Sequence, residues 1–331
     1  MKKVEKFDDV RVSKFTDGYD LNQVEGTIET PSLEILKTLS FNENTIFSNP
    51  EPATKILQEA KTPPLGIKEI HKMGITGNGV NVAIIDQPLA LDHPEYKGKI
   101  ASYTNLVKNS NISSMHGPAV VSLLVGENLG TAPDAKVYYW ATPSWEKDAR
   151  YEVKALEQIL EINKTLPENK KIKFVSVSAA PGRAEMRNYN NLWNEAVKKA
   201  QASGLCVVEC TEGNRFVSAG WIDNNKFYYG FPHLPMKKMQ QGQVHVPNSH
   251  RTIAESYDNK HFSYIYSGVG GLSWGIPYAV GILCLGQQLN PSLSANELKQ
   301  ILIDTAQENN CIVNPQKFLE QVKLKNKELW F

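Results

Sequence analysis

Cysteine is scarce in this chain: four residues in 331, at positions 206, 210, 284 and 311, with no C-x-x-C pair. That spacing argues against a structural zinc site and reads as free thiols, mostly buried, in a reducing compartment. Charge of either sign is not in excess, since 36 Lys+Arg face 35 Asp+Glu for a formal net charge of +1. The balance gives no electrostatic reason to expect nucleic acid or an anionic membrane surface as a partner. Long hydrophobic runs are missing too. The apolar stretch Ile276 to Leu285 is too short to span a bilayer, and MKKVEKFDDVRV at the start has no apolar core behind its two lysines. The expected location is therefore the cytoplasm, with no membrane partner, and cutting from a longer precursor stays open. Repeats and low-complexity tracts are absent, and nothing in the sequence fixes an oligomeric state.

What is present is enough for a sizeable core. With 41% hydrophobic and 21% charged residues, 331 positions suit one large domain with an extension, or two domains. Residues 1–62 are mixed and polar, with helices expected at Ser32–Thr38 and Pro52–Ala60. "KTPPLG" (Lys61 to Gly66) then breaks the chain. The boundary is placed there, dividing residues 1–62 from a main domain over 63–331. Beyond it strands and helices alternate. Strands are expected at Gly79–Asp86, Ala135–Ala141, Lys173–Ala179 and Leu205–Cys210, and helices at Gly117–Gly126, Asp148–Thr165 and Asn191–Gly204. That alternation predicts an α/β fold with a mostly parallel sheet covered by helices on both faces. In such sheets ligands bind beyond the carboxyl ends of the strands, so polar residues there carry the most information.

Asp86, Ser178 and Asn214 fall at strand ends, and His116 and Ser273 each open a helix. Taken singly each has an ordinary reading. Aspartate and asparagine are turn formers, a histidine at a helix start is usually packed or solvated, and serine caps helices. Taken together they supply a reaction. A serine hydroxyl needs a base to take its proton, histidine suits that task near neutral pH, and a buried carboxylate holds the imidazole in the required tautomer. An amide aimed at a developing oxyanion completes the set. The chain order Asp, His, Asn, Ser separates one class of serine hydrolase from those with other orders, and the missing G-x-S-x-G argues against an esterase of the α/β-hydrolase type.

The stretches around these residues resemble the subtilisin-like serine proteases over residues 64 to 323. "GNGVNVAIID" with "LDHPEY" matches the segment carrying the family's aspartate, here Asp86. "HGPAVVSLLVG" resembles the histidine helix, with His116. "KFVSVSAAPG" resembles the substrate-binding strand, "SGLCVVECTEGNR" the segment of the oxyanion asparagine, Asn214, and "GLSWGIPYAVG" the nucleophile turn, with Ser273. The resemblance implies a three-layer α/β/α fold and peptide-bond hydrolysis through an acyl-enzyme, with Asp86, His116, Ser273 and Asn214 catalytic. It also implies a pocket, for the residue before the cut, lined by Ser178, Ala179, Ala180, Gly182, Thr211, Gly213 and Arg215. Arg215 there would favour an acidic or polar side chain, against the ordinary reading of a solvated arginine.

Departures from the family pattern are concentrated beside these positions. Asp86 is followed by Gln87-Pro88 where the family has a hydroxyl residue and glycine. Ala119 stands for a second histidine, Leu272 and Trp274 flank the serine, and Ala179-Ala180-Pro181 replaces a leucine and two glycines. A bulky Trp274 would narrow the leaving-group side and with it the substrate range. Pro277 is expected in the first turn of the helix that Ser273 opens. No cofactor is expected. Calcium is common in the family, but no acidic cluster marks a site. Residues 1–62 read either as a removable or inhibitory pro-segment or as a fixed extension. The resemblance implies a peptide or protein substrate, and the rival reading is a catalytically impaired peptide-binding protein on the same fold.

Overall fold

The computed structural model describes residues 1–12, 26–108, 112–181, 187–211, 216–234, 242–256 and 258–327, with the backbone alone for 187–190 and 326–327. The N-terminal segment holds a short helix α1 (Leu33–Leu36), a strand β1 (Ser40–Asn42) and α2 (Glu51–Glu59). After α3 (Ile67–Lys72) come β2 (Asn81–Asp86), β3 (Ile100–Asn105), α4 (His116–Val125), β4 (Lys136–Ala141), α5 (Arg150–Thr165), β5 (Phe174–Val177), α6 (Arg187–Ala202) and β6 (Cys206–Glu209). The remainder is β7 (Val217–Asp223), β8 (Lys226–Tyr229), β9 (Val244–Pro247), β10 (Arg251–Glu255), β11 (Ser263–Ser267), α7 (Leu272–Leu289), α8 (Ala295–Gln307) and α9 (Pro315–Lys327).

Five strands form a parallel sheet in the order β3-β4-β2-β5-β6. β2 reads NVAIID and is buried throughout, as a central strand covered on both faces must be. Its alternate side chains feed two cores. Val82 and Ile84 pack with α4 and α7, while Ala83 and Ile85 pack with the α5 and α6 layer. The result is the expected three-layer α/β/α arrangement. From β4 the chain crosses to β5 on the far side of β2, so the strand order switches beside Asp86 and a crevice is expected there.

The sequence-based strands hold: β2 and β4 start one or two residues late and end where expected, while β5 and β6 are one or two residues shorter at both ends. β3 escapes sequence reading. It is an edge strand, "IASYTN", half-buried along most of its length, so it lacks the apolar run that marks β2. The small antiparallel and mixed sheets β1-β11-β10 and β8-β7-β9 were not legible either: β9 and β10 are buried throughout, but His245, Arg251, Thr252 and Glu255 interrupt their apolar pattern. The cysteines are all free, Cys206 and Cys284 buried, Cys210 and Cys311 half-buried. Among the described residues no helix is long and apolar enough to cross a membrane.

α7 is buried on all sides from Trp274 to Gln287. Its glycines allow close approach: a Cβ on Gly281 would sit 2.5 Å from Thr131 Cβ, and one on Gly275 2.8 Å from Val246 Cγ2. One expectation needs correction. The helix starts at Leu272 with Gly271 as N-cap, so Pro277 lies in the second turn, inside the helix. Ser273 is therefore the second helical residue and does not cap. Proline at 277 removes the N–H that would bond the carbonyl of Ser273, four residues back.

Candidate functional site

The site gathers at the carboxyl edge of the sheet, beside the switch in strand order. Asp86 ends β2 and is fully buried. Its Oδ1 takes His116 Nδ1 at 2.6 Å and the Gln87 backbone N–H at 2.8 Å. Its Oδ2 has no hydrogen-bond partner among the described residues. The residue that follows explains this. Gln87 turns its amide to Ser144 Oγ at 2.8 Å instead of to the carboxylate.

His116 is the first residue of α4, whose free N–H groups are held by Ser114. Ser114 Oγ accepts from the backbone N–H of His116 at 3.2 Å and of Gly117 at 3.3 Å. Glycine is required next to the histidine, because a Cβ on Gly117 would meet Gln87 O at 2.5 Å and Pro88 O at 2.6 Å. That close approach is what brings the start of α4 against the end of β2. With Nδ1 donating to the carboxylate, Nε2 keeps its lone pair, which is the tautomer a general base needs. The Trp274 ring lies over the imidazole, centroids 5.2 Å apart and planes inclined by 36°.

Trp274 brings Ser273 into the same neighbourhood. The turn before it is tight: Gly270 has φ +72°, and a Cβ there would come within 2.2 Å of Asn248 O. The Gly271 N–H donates to that same carbonyl at 3.1 Å. The Ser273 hydroxyl points to the carbonyl oxygen of Ser178 at 3.4 Å, a long contact. Among the described residues it makes no hydrogen bond to the imidazole. In the other direction the Ser178 hydroxyl donates to Ser273 O at 2.9 Å. That bond fills the acceptor left open by Pro277.

Of the sequence-predicted pocket residues, Ser178 is buried and Ala179 and Ala180 are half-buried beyond β5. Thr211 follows β6, across from them. Cys210 Sγ reaches Ser178 O at 3.3 Å, tying the two strand ends together. Burial pushes the Cys210 thiol up to about 11, with Glu209 adding to the effect, so it stays a neutral thiol. Asn214, Gly182, Gly213 and Arg215 lie outside the described residues.

Two buried acids were missed in sequence reading. Glu209 is 1% exposed and accepts from the Thr211 backbone N–H at 2.7 Å and from its hydroxyl. Glu152, also 1% exposed, has no hydrogen-bond partner for either carboxyl oxygen among the described residues. Burial, with the nearby Asp148 and Asp86 adding to the effect, pushes it up to about 7. Glu152 lies near Thr142, whose backbone N–H donates to Asp86 O at 2.8 Å. In sequence Glu152 is an ordinary acid in the first turn of a helix, and Glu209 a lone charge at a strand end. Neither carries a signal of burial. No group of three or more His, Cys, Asp or Glu among the described residues is placed to hold a metal ion.

A model of the subtilase family matches residues 77–254. Subtilisin BL of Lederbergia lenta is 23% identical over 270 residues, covering 75% of this chain and 92% of that protein. Subtilisin-like protease 5 of Arthroderma gypseum is 24% identical over 131 residues, 36% of this chain, and the match spans only 33% of that protein's length. Among solved structures, the subtilase cytotoxin SubAB superposes with a TM-score of 0.63 at 16% identity, covering 82% of this chain and 97% of that one.

Proposed function

Because this chain belongs to the subtilase family, we propose that it is a serine endopeptidase of narrow substrate range working through an acyl-enzyme. The observation that carries this reading is the 2.6 Å pairing of His116 Nδ1 with the buried Asp86 carboxylate, with Trp274 holding the Ser273 turn against the same imidazole. In the reaction Ser273 rotates about χ1 from Ser178 O towards His116 Nε2, one staggered well to another. Catalytic hydrogen bonds are often long before substrate binds and tighten in the complex. His116 takes the serine proton as Oγ attacks the peptide carbonyl, then gives it to the leaving amine. Asp86 stabilises the imidazolium between the two steps. The Ser273 backbone N–H, at the positive end of α7, and Asn214 receive the oxyanion. Ser178, Ala179, Ala180, Gly182, Thr211, Gly213 and Arg215 form the pocket for the residue before the cut. Trp274 walls the leaving-group side, and a restricted set of peptide or protein substrates follows.

A second reading has its own support. Asp86 Oδ2 is unpartnered among the described residues and the Ser273 hydroxyl faces Ser178. Both would suit a peptide-binding protein with impaired chemistry. One experiment separates the two. Wild type and Ser273→Ala are treated with a fluorophosphonate and their intact masses read. Labelling of wild type alone supports the peptidase, whereas a folded wild type that resists labelling, with residues 1–62 present or cut away, sinks it.

A further inference from the structure

The strand that leads into the nucleophile turn is not held by the main domain alone. β11 lies between β10 and β1 of the N-terminal segment, in the register Ser40↔Ser267, Phe41↔Tyr266 and Asn42↔Ile265. Only residues 268–272 separate the end of β11 from Ser273. At Gly268 the backbone N–H donates to Leu39 O at 2.9 Å, and a Cβ there would stand 2.5 Å from the carbonyl oxygens of both Leu39 and Lys37. The Gly270 N–H then bonds Ser267 Oγ at 3.2 Å, and the Gly271 N–H bonds Asn248 O. The turn is thus gripped by the segment on one side and by Asn248 on the other.

Buried groups of the main domain also find their partners in this segment. Tyr266, 2% exposed, donates its hydroxyl to Lys37 O at 2.8 Å. The Thr252 hydroxyl donates to Leu57 O at 2.7 Å and its backbone N–H to Ala60 O at 3.1 Å. Asn42 Nδ2 donates to the buried Glu255 carboxylate at 3.0 Å. Phe41 and Tyr266 pack ring on ring, 5.0 Å between centroids, in a small core shared with Leu36, Leu39, Phe47, Ile56 and Leu57. Among the described residues none of the segment's hydrogen bonds reaches Asp86, His116 or Ser273. Stripping it away would leave buried polar groups without partners and open the flank of the turn.

We propose that residues 26–62 are a permanent part of the folded enzyme that positions the nucleophile turn, so that their loss silences Ser273 rather than releasing it. The silencing half rests on the reading of Ser273 as nucleophile; the permanence does not. Gly268 carries the argument furthest. A main domain that shed the segment would have no use for a position where carbonyls from residues 37 and 39 admit only a hydrogen atom.

The full chain tests both halves. Thermolysin digestion across a urea series, read by mass, is expected to cut between residues 40 and 62 only at the urea concentration where tryptophan fluorescence reports global unfolding. An early cut there that leaves a folded fragment of the main domain overturns permanence. With a fluorophosphonate, the labelled species is expected to retain residues 26–62. Label found only on a shortened chain overturns the proposal. For positioning, Gly268→Ala, folded by circular dichroism, is expected to label at least tenfold more slowly at saturation with the half-saturating reagent concentration unchanged. An unaltered maximal rate refutes the positioning role. If wild type takes no label, the peptidase reading fails and the digestion still decides permanence.

Discussion

The Ser178 hydroxyl donates to the carbonyl oxygen of Ser273 at 2.9 Å, the acceptor that Pro277 leaves without a helical partner. The end of β5 and the helix α7 are thereby joined through one missing N–H. Ser178→Ala is expected to lower stability by about 1–3 kcal/mol, the cost of an unsatisfied buried acceptor. In a Pro277→Ala background, where residue 277 regains its N–H, the penalty is expected to fall by at least half. Urea titration of the four proteins closes this cycle, and equal penalties in both backgrounds would disprove the link.

Asp86→Asn keeps the size of the side chain but reverses the hydrogen bond to His116 Nδ1. The favoured tautomer then places the proton on Nε2, where a lone pair is needed. Turnover is expected to drop by about 10⁴-fold with the fold intact. Steady-state kinetics on any peptide cleaved by wild type checks it, and a loss below tenfold would remove Asp86 from the mechanism.

Glu152 makes stability depend on pH. Folding raises its pKa from the ordinary 4.5 to about 7, because burial penalises the charged form. The unfolded chain releases this proton first, so the native state binds more protons between those values and stability falls as pH rises through them. Below the unfolded value the group costs nothing. Above about pH 7 the full penalty stands, about 3 kcal/mol by the free energy of a pKa shift. Glu152→Gln is expected to raise Tm at pH 8 and to leave it close to wild type at pH 4.5. A gain that is the same at both pH values would contradict the assignment.

Trp274 covers one side of the imidazole and is 8% exposed. Trp274→Met is expected to widen the leaving-group side, so that bulky residues directly after the cut are accepted about tenfold better or more. Cleavage of a peptide library by the two proteins provides the comparison. An unchanged profile at that position would remove Trp274 as a determinant of specificity.

The parallel sheet was legible because its strands are short β-branched runs buried on both faces. The sheet's edge strand β3 was not, because one exposed side breaks the apolar pattern. Asp86, His116 and Ser273 were legible as residue types in a chain order, and the structure places Asp86 against His116 and Trp274, the neighbour of Ser273, beside the same imidazole. The sequence also showed that Gln87 and Trp274 stand where other side chains are usual.

Composition, local pattern and motif order are properties of neighbouring residues, and the sequence alone determined what rests on them: the α/β class and the order in which Asp86, His116 and Ser273 follow one another. Packing determined the rest, because it depends on residues far apart in the chain. Ser178 completes a helix that begins 94 residues later, at Leu272. Glu152 looks solvated until α5 lies against the sheet. Leu39 and Gly268 meet only when β1 joins β11, and that contact turns a polar N-terminal stretch into a wall of the turn before Ser273.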